Sequence, residues 1–240
     1  IIFSVSLHHE SNLIDDKVMI IKVCGMRDAV NIQKVSQLGV DWIGLNFCPG
    51  SPQYVRQISS NAGIIPDYGS LDNVYTKDNT SQISHQKPLL CGIFADDMPQ
   101  NIVTRVVNFH LDIVQLDGEE SPVMIDNLRK TLDPDIHAGI KIMKSFTVSS
   151  QDDLKICKEY VEHTDYFLFK LETLFDKSLF SEYKEDVPFL LSDNAITTEA
   201  ESIKSLSCPQ FLGVSIDCGF DTESGLKDVE SLKRFLEKLH

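Results

Sequence analysis

The chain has 240 residues, of which 42% are hydrophobic, and this is enough to bury one large core. Its formal net charge of -14 at pH 7 disfavours binding to nucleic acid or to an anionic membrane surface. No apolar run approaches the length of a membrane span. The six cysteines form no CxxC pair and no Cys/His cluster with metal-ligand spacing, so we expect reduced thiols, a cytoplasmic protein, and neither metal nor cofactor.

Residues 1–18 differ from the rest of the chain. They contain His8-His9 and Asp15-Asp16, lack positive charge at the start, and precede Met19. We interpret them as an N-terminal extension and not as a signal peptide. Residues 19–240 are predicted to form a single domain.

Strand and helix signals alternate from residue 20 onwards, which is typical of a parallel α/β fold. Asp28 is a plausible N-cap for the first helix, and Gly39 ends that helix. A second helix is predicted to begin near 55–60. A long polar connection follows over 66–88, and residues 71–87 within it should be the most mobile internal segment. Strands are predicted at 20–23, 42–47, 89–94, 112–116, 140–146, 166–169, 188–191 and 211–216. Later helices are predicted at 99–109, from 122, at 151–160 and at 229–239.

Several motifs recur in one order along the chain. They are KVCG at 22–25, GVDWIG at 39–44, SPQYV at 51–55, CGIFADDMPQNIV at 91–103, LDIVQLDGEESP at 111–122, IKIMKSF at 140–146, DYFLF at 165–169, PFLLS at 188–192 and SGLKD at 224–228. Together they resemble phosphoribosylanthranilate isomerase, over roughly residues 19–239. The resemblance implies a single (β/α)8 TIM barrel and a place in tryptophan biosynthesis. The working face of such a barrel is at the carboxyl ends of its strands.

The resemblance also implies two catalytic positions. The family's reaction is an Amadori rearrangement of N-(5'-phosphoribosyl)anthranilate, which needs an acid to open the ring and a base to remove a proton. The base position is Cys24, which could instead be a small buried apolar residue. The acid position, an aspartate in the family, is Lys170. Lys170 would favour a thiolate at Cys24 if the two approach, or it could simply reach from a strand end into solvent.

The expected substrate contacts depart from the family pattern. Gln53 replaces the arginine that holds the anthranilate carboxylate, and Asp117 replaces a histidine, adding negative charge that disfavours an acidic substrate. The loop after Lys170 has lost its glycines, which argues against the ordinary phosphate mode. The expected contacts are Gln53, Asp117, Ser192, Asp193, Asn194, Ser215, Asp217, Cys218 and Gly219.

Three functions remain open from the sequence. The chain is a working isomerase with a remodelled site, a catalytically inactive binding or scaffold barrel, or an enzyme that forms a Schiff base through Lys170. The altered positions favour weak or lost isomerase activity. The expected partner is a small-molecule substrate or ligand, for which a phosphorylated sugar is one candidate. The oligomeric state is not predicted.

Overall fold

The computed structural model describes residues 19–56, 87–172, 176–181, 183–192 and 203–239. The predicted extension at 1–18, nearly all of the predicted mobile segment at 71–87, and Asp193 and Asn194 lie outside the described residues. The extension, its boundary with the barrel domain, and the mobility of 71–87 stay predictions.

Eight parallel strands close into a barrel in chain order, and β1 pairs with β8 to complete it. Their bounds are β1 Ile20–Cys24, β2 Trp42–Asn46, β3 Leu89–Phe94, β4 Ile113–Leu116, β5 Lys141–Val148, β6 Tyr166–Leu171, β7 Phe189–Ser192 and β8 Phe211–Ile216. The predicted (β/α)8 barrel is confirmed. Because all the strands are parallel, their carboxyl ends meet at one mouth.

Helices cover the outside of this barrel. Those with bounds in the described residues are α1 Ala29–Ser36, α2 Pro99–Phe109, α3 Pro122–Leu132 and α4 Val229–Leu239. The Asp28 side chain caps α1 by accepting a hydrogen bond from the Asn31 N–H, as the sequence predicted. Within the described parts of the chain, no helix is both long and apolar enough to cross a membrane.

The structure corrects the helix predicted at 151–160. The structure has a 3₁₀ helix at Asp153–Tyr160, and a second one at Lys177–Phe180. The Asp153 carboxylate accepts hydrogen bonds from the N–H and hydroxyl groups of both Ser149 and Ser150. These bonds tie the chain into a tight turn at the start of the segment.

The barrel interior has an apolar lower layer and a polar upper layer. The lower layer takes one buried residue from each of six neighbouring strands: Trp42, Cys91, Ile113, Met143, Leu168 and Leu190. Successive side chains of a strand alternate between its two faces, so the residue two positions further on points to the same interior. On β4 to β7 those residues are Gln115, Ser145, Lys170 and Ser192. This alternation places polar groups at the mouth.

A short hairpin after β8 braces the mouth. Its strands are β9 Asp221–Glu223 and β10 Leu226–Lys227. The Asn31 side chain exchanges two hydrogen bonds with the Lys227 backbone, which fixes the hairpin to α1. The buried Lys227 ammonium donates to the Asp217 carbonyl and to the Asp221 carboxylate. The backbone after β8 is therefore held in place.

Candidate active site

Lys170 and Asp117 form an ion pair at the mouth. Lys170 Nζ lies 2.6 Å from Asp117 Oδ2, and their side chains are 35% and 15% exposed. The other carboxylate oxygen of Asp117 accepts hydrogen bonds from Ser145 Oγ at 2.5 Å and from Gln115 Nε2 at 2.7 Å. Asp117, interpreted from the sequence as added negative charge at the rim, is paired here with the Lys170 ammonium.

Lys22 is a buried ammonium inside the barrel. Its Nζ donates to Gln115 Oε1 at 2.5 Å and to Ser215 Oγ at 3.2 Å. Burial acts against the charged form, but the negative charge that Cys24, Cys91 and Asp217 can supply outweighs it and raises the pKa of Lys22. Gln115 joins the Lys22 ammonium to Asp117. Lys22 and Lys170 therefore belong to one hydrogen-bond network.

Cys24 lies at the carboxyl end of β1, where the sequence placed it, but it is only 2% exposed. Its Sγ is 3.5 Å from Ser215 Oγ and packs against Gly44, where any Cβ would overlap the sulfur. Burial and the Asp217 charge raise the pKa of Cys24 to about 12, against the opposing effect of Lys22. Lys170, which would favour a thiolate if it approached Cys24, is paired with Asp117.

Gln53 lies beside the end of β1. Its side-chain amide packs against Gly25, which has a positive φ of 80° and no Cβ that would obstruct the contact. The amide therefore sits over the backbone next to Cys24. It can form hydrogen bonds there, but it offers no charge to a carboxylate.

Asp217 directly follows β8 at the mouth of the barrel. Its two carboxylate oxygens accept hydrogen bonds from Ser192 Oγ at 2.7 Å and Ser215 Oγ at 3.0 Å. Burial opposes ionisation, but Lys22 and the Ser192 hydroxyl keep the pKa of Asp217 below its ordinary value. Cys218 is half-buried and Gly219 is exposed with a φ of 93°. A phosphate in this region would face an ionised carboxylate.

The structure therefore brings together Cys24, Asp117, Lys170, Ser192, Ser215 and Asp217 from strands β1, β4, β6, β7 and β8. Sequence reasoning missed Lys22, Gln115 and Ser145. Period-two alternation could have indicated Gln115 and Ser145, since each follows a buried apolar residue by two positions. Lys22 could also have been indicated by the sequence, because it is a charged residue within an apolar strand.

The comparisons with known proteins agree with this architecture. Residues 53–238 match the family model for N-(5'phosphoribosyl)anthranilate (PRA) isomerase. The isomerase of Parabacteroides distasonis is 31% identical over 92% of this chain and 93% of its own length. That of Phocaeicola vulgatus is 28% identical over 92% and 98%.

Solved structures share the fold. A phosphoribosyl anthranilate isomerase in complex with reduced 1-(o-carboxyphenylamino)-1-deoxyribulose 5-phosphate matches with a TM-score of 0.70 at 20% identity, covering 92% of this chain and 98% of that one. The Thermotoga maritima enzyme gives the same TM-score, identity and coverage.

The closed barrel defines a (β/α)8-barrel protein whose polar groups lie at the carboxyl ends of its strands. The family match covers more than half of the chain, and a relative exceeds 30% identity over most of it. The chain belongs to the phosphoribosylanthranilate isomerase family of tryptophan biosynthesis.

Proposed function

We propose that this family member converts N-(5'-phosphoribosyl)anthranilate very slowly or not at all, and that its mouth binds a small-molecule ligand. The observation that carries the proposal is the ion pair of Lys170 with Asp117 at the position where the resemblance places the acid. Both groups are charged and engaged with each other. Neither offers the carboxylic acid proton that ring opening uses, and loss of a positioned acid costs about 10²- to 10⁴-fold in rate.

The base position is also unfavourable. Cys24 is buried beneath its neighbours, and its pKa of about 12 means that very little thiolate exists at neutral pH. A thiol cannot remove the proton that the rearrangement requires. The acid position and the base position are thus both impaired.

Two binding positions support the same conclusion. Gln53 lacks the charge for a bidentate pair with a carboxylate, and Asp217 is an ionised group near the end of β8. A substrate with both a carboxylate and a phosphate would lose the remote binding energy that holds it in a reactive geometry. The ligand that fits the mouth therefore differs from the family substrate in at least one of these groups.

A steady-state fluorescence assay with freshly generated substrate tests the proposal. We expect turnover close to background for the unmodified chain and for Lys170→Asp alone. That variant places a second carboxylate against Asp117, and the two like charges repel. Measurable recovery of turnover should need Asp117→His and Gln53→Arg in addition to Lys170→Asp in the same protein. Lys141→Ala, an exposed lysine at the start of β5, is the matched control and should change nothing.

Turnover by the unmodified chain on the order of 1–10³ per second, an ordinary enzyme's pace, would overturn the proposal. Complementation of a tryptophan-requiring strain that lacks this isomerase is the cellular form of the same test. We expect no growth with the unmodified chain, and growth would count against the proposal.

The Schiff-base alternative receives less support. Attack on a carbonyl needs a free amine, whereas the Lys170 ammonium is engaged with Asp117. Borohydride trapping of a carbonyl compound on Lys170 would revive it. Cys24, Cys91 and Cys157 are buried free thiols, which supports our inference of a reducing, cytoplasmic location.

A further inference from the structure

Ser215 is the point where three polar groups of the barrel interior meet. Its hydroxyl oxygen lies 3.2 Å from Lys22 Nζ, 3.0 Å from Asp217 Oδ1 and 3.5 Å from Cys24 Sγ. Ser215 itself is fully buried, so water does not compete for these contacts. A hydroxyl has one hydrogen to donate and two lone pairs that accept.

One assignment of hydrogens satisfies all three contacts of Ser215 with Cys24 as a neutral thiol. The Asp217 carboxylate has no hydrogen, so the Ser215 hydroxyl must donate to it. The Lys22 ammonium can only donate, and it takes one lone pair of Ser215. The remaining lone pair can accept from Cys24, and in this arrangement the sulfur is the donor and carries its proton.

We propose that Asp217 acts through Ser215 to keep Cys24 as a neutral thiol, and that Asp217 is a positioning residue for the Cys24 proton. Without the Asp217 carboxylate, the Ser215 hydroxyl can turn and donate to Cys24 Sγ. The buried Lys22 ammonium then has a thiolate as its nearest negative partner. This inference extends the proposed function, because it gives the cause of the missing base.

The charged and titratable groups around Cys24 agree with this direction. Lys22 on the same strand favours the thiolate, and Asp217 after β8 opposes it. The adjacent β2 contributes Gly44, which has no charge. One neighbour further away, Cys91 on β3 faces Lys22, and Lys170 on β6 acts on Asp217. Removing Asp217 therefore removes the charge that opposes the thiolate and leaves Lys22 in place.

Nuclear magnetic resonance of protein labelled with ¹³Cβ-cysteine tests the proposal without any need for reagent access to the buried sulfur. The Cys24 signal is assigned by its absence in Cys24→Ser. In the unmodified protein we expect it to stay in the thiol form from neutral pH to well above the ordinary cysteine value of about 8.5. In Asp217→Ala its titration midpoint should fall by about 1–3 units, the shift that loss of a nearby like charge produces.

Two further variants keep the test decisive. Asp217→Asn removes the charge but retains an acceptor for Ser215, so it should lower the midpoint by less than Asp217→Ala does. It also serves if Asp217→Ala does not fold. Ser192→Ala removes the other hydrogen bond of Asp217 and leaves the Ser215 contact intact, so it should leave the Cys24 midpoint unchanged.

An unchanged midpoint in both Asp217 variants would overturn the proposal, and so would a thiolate at neutral pH in the unmodified protein. The measurement reports the proton on Cys24 and not turnover. Rapid turnover with a neutral Cys24 would refute the proposed function alone. Absent turnover with an ionised Cys24 would refute this inference alone.

Discussion

Replacing Lys144 with methionine should destabilise the protein more than any change to its exposed lysines. Lys144 lies on β5, and its Nζ donates to the carbonyl oxygens of Leu116 at 3.3 Å and Gly118 at 2.6 Å. These two carbonyls flank Asp117. The Lys144 ammonium also lies 3.4 Å from Glu120 Oε2, and the two side chains are only 4% and 2% exposed.

The magnitude follows from what Lys144→Met leaves behind. Glu120 keeps one hydrogen bond, from the Asp96 N–H to Oε1, while Oε2 loses its ionic partner within a buried site. Removing one partner of a buried ion pair costs about 3–5 kcal/mol, because the remaining charge is uncompensated. A domain of this size loses about 2–4 °C in Tm for each kcal/mol. We therefore expect Tm to fall by roughly 6–20 °C.

Urea denaturation and calorimetry would measure this difference. The double variant Lys144→Met with Glu120→Gln should be more stable than Lys144→Met alone, because it removes the orphaned charge. The matched control is Lys141→Met, on the same strand. The Lys141 side chain is 47% exposed in its pair with Asp165, so its loss should cost about 0–1 kcal/mol.

A cost below about 1 kcal/mol for Lys144→Met would refute the reasoning, since it would mean that the ammonium contributes no more than a surface lysine does. Strict additivity in the double variant would refute it as well. In that case Lys144 and Glu120 would not be coupled, and their proximity would carry no energetic meaning.

Two other predictions concern stability. Gly213→Ala should strongly lower Tm, because its Cβ would overlap the Ile20 carbonyl of the neighbouring strand, whereas Gly50→Ala, with no atom near its Cβ, should be neutral by calorimetry. Asp165 is partly buried, yet the Ile142 N–H and Arg129 hold its pKa below the ordinary value. The stabilisation from Asp165 is therefore complete above the unfolded value of about 3.9 and is lost as pH falls through the lower folded value. Urea titrations should show Asp165→Asn as destabilised at neutral pH and equal to the parent protein in acid.

The positions of the strands could be predicted from the sequence because they depend on local signals, whereas the closed (β/α)8 barrel was implied by the resemblance. Each barrel strand is a short apolar run, and the positions at the strand ends follow once the strands are found. Cys24, Asp117, Lys170 and Asp217 were placed at the mouth in this way. The roles of these residues in binding or catalysis stay predictions.

The partners of these residues could not be predicted, because they depend on how the barrel closes. Lys170 and Asp117 are separated by 53 residues in the chain, and Lys22 and Ser215 by 193. The register that aligns β4, β5 and β6 brings the first pair together, and the closure of β1 onto β8 brings the second. Charge at a strand end is a local property, whereas its neutralisation is a property of the closed barrel.

The substitutions at the mouth are better explained as one coupled change than as separate losses. Lys170 and Asp117 are oppositely charged and in contact, while Gln115 links Asp117 to Lys22 and Ser215 links Lys22 to Asp217. Two ammonium groups and two carboxylates are therefore balanced within a single network when Cys24 carries its proton. Reverting one member would leave an excess charge in a poorly solvated site, where an uncompensated charge is costly. Lys170 and Asp117 thus stabilise each other, and recovery of the family's chemistry requires joint replacement of this charged pair.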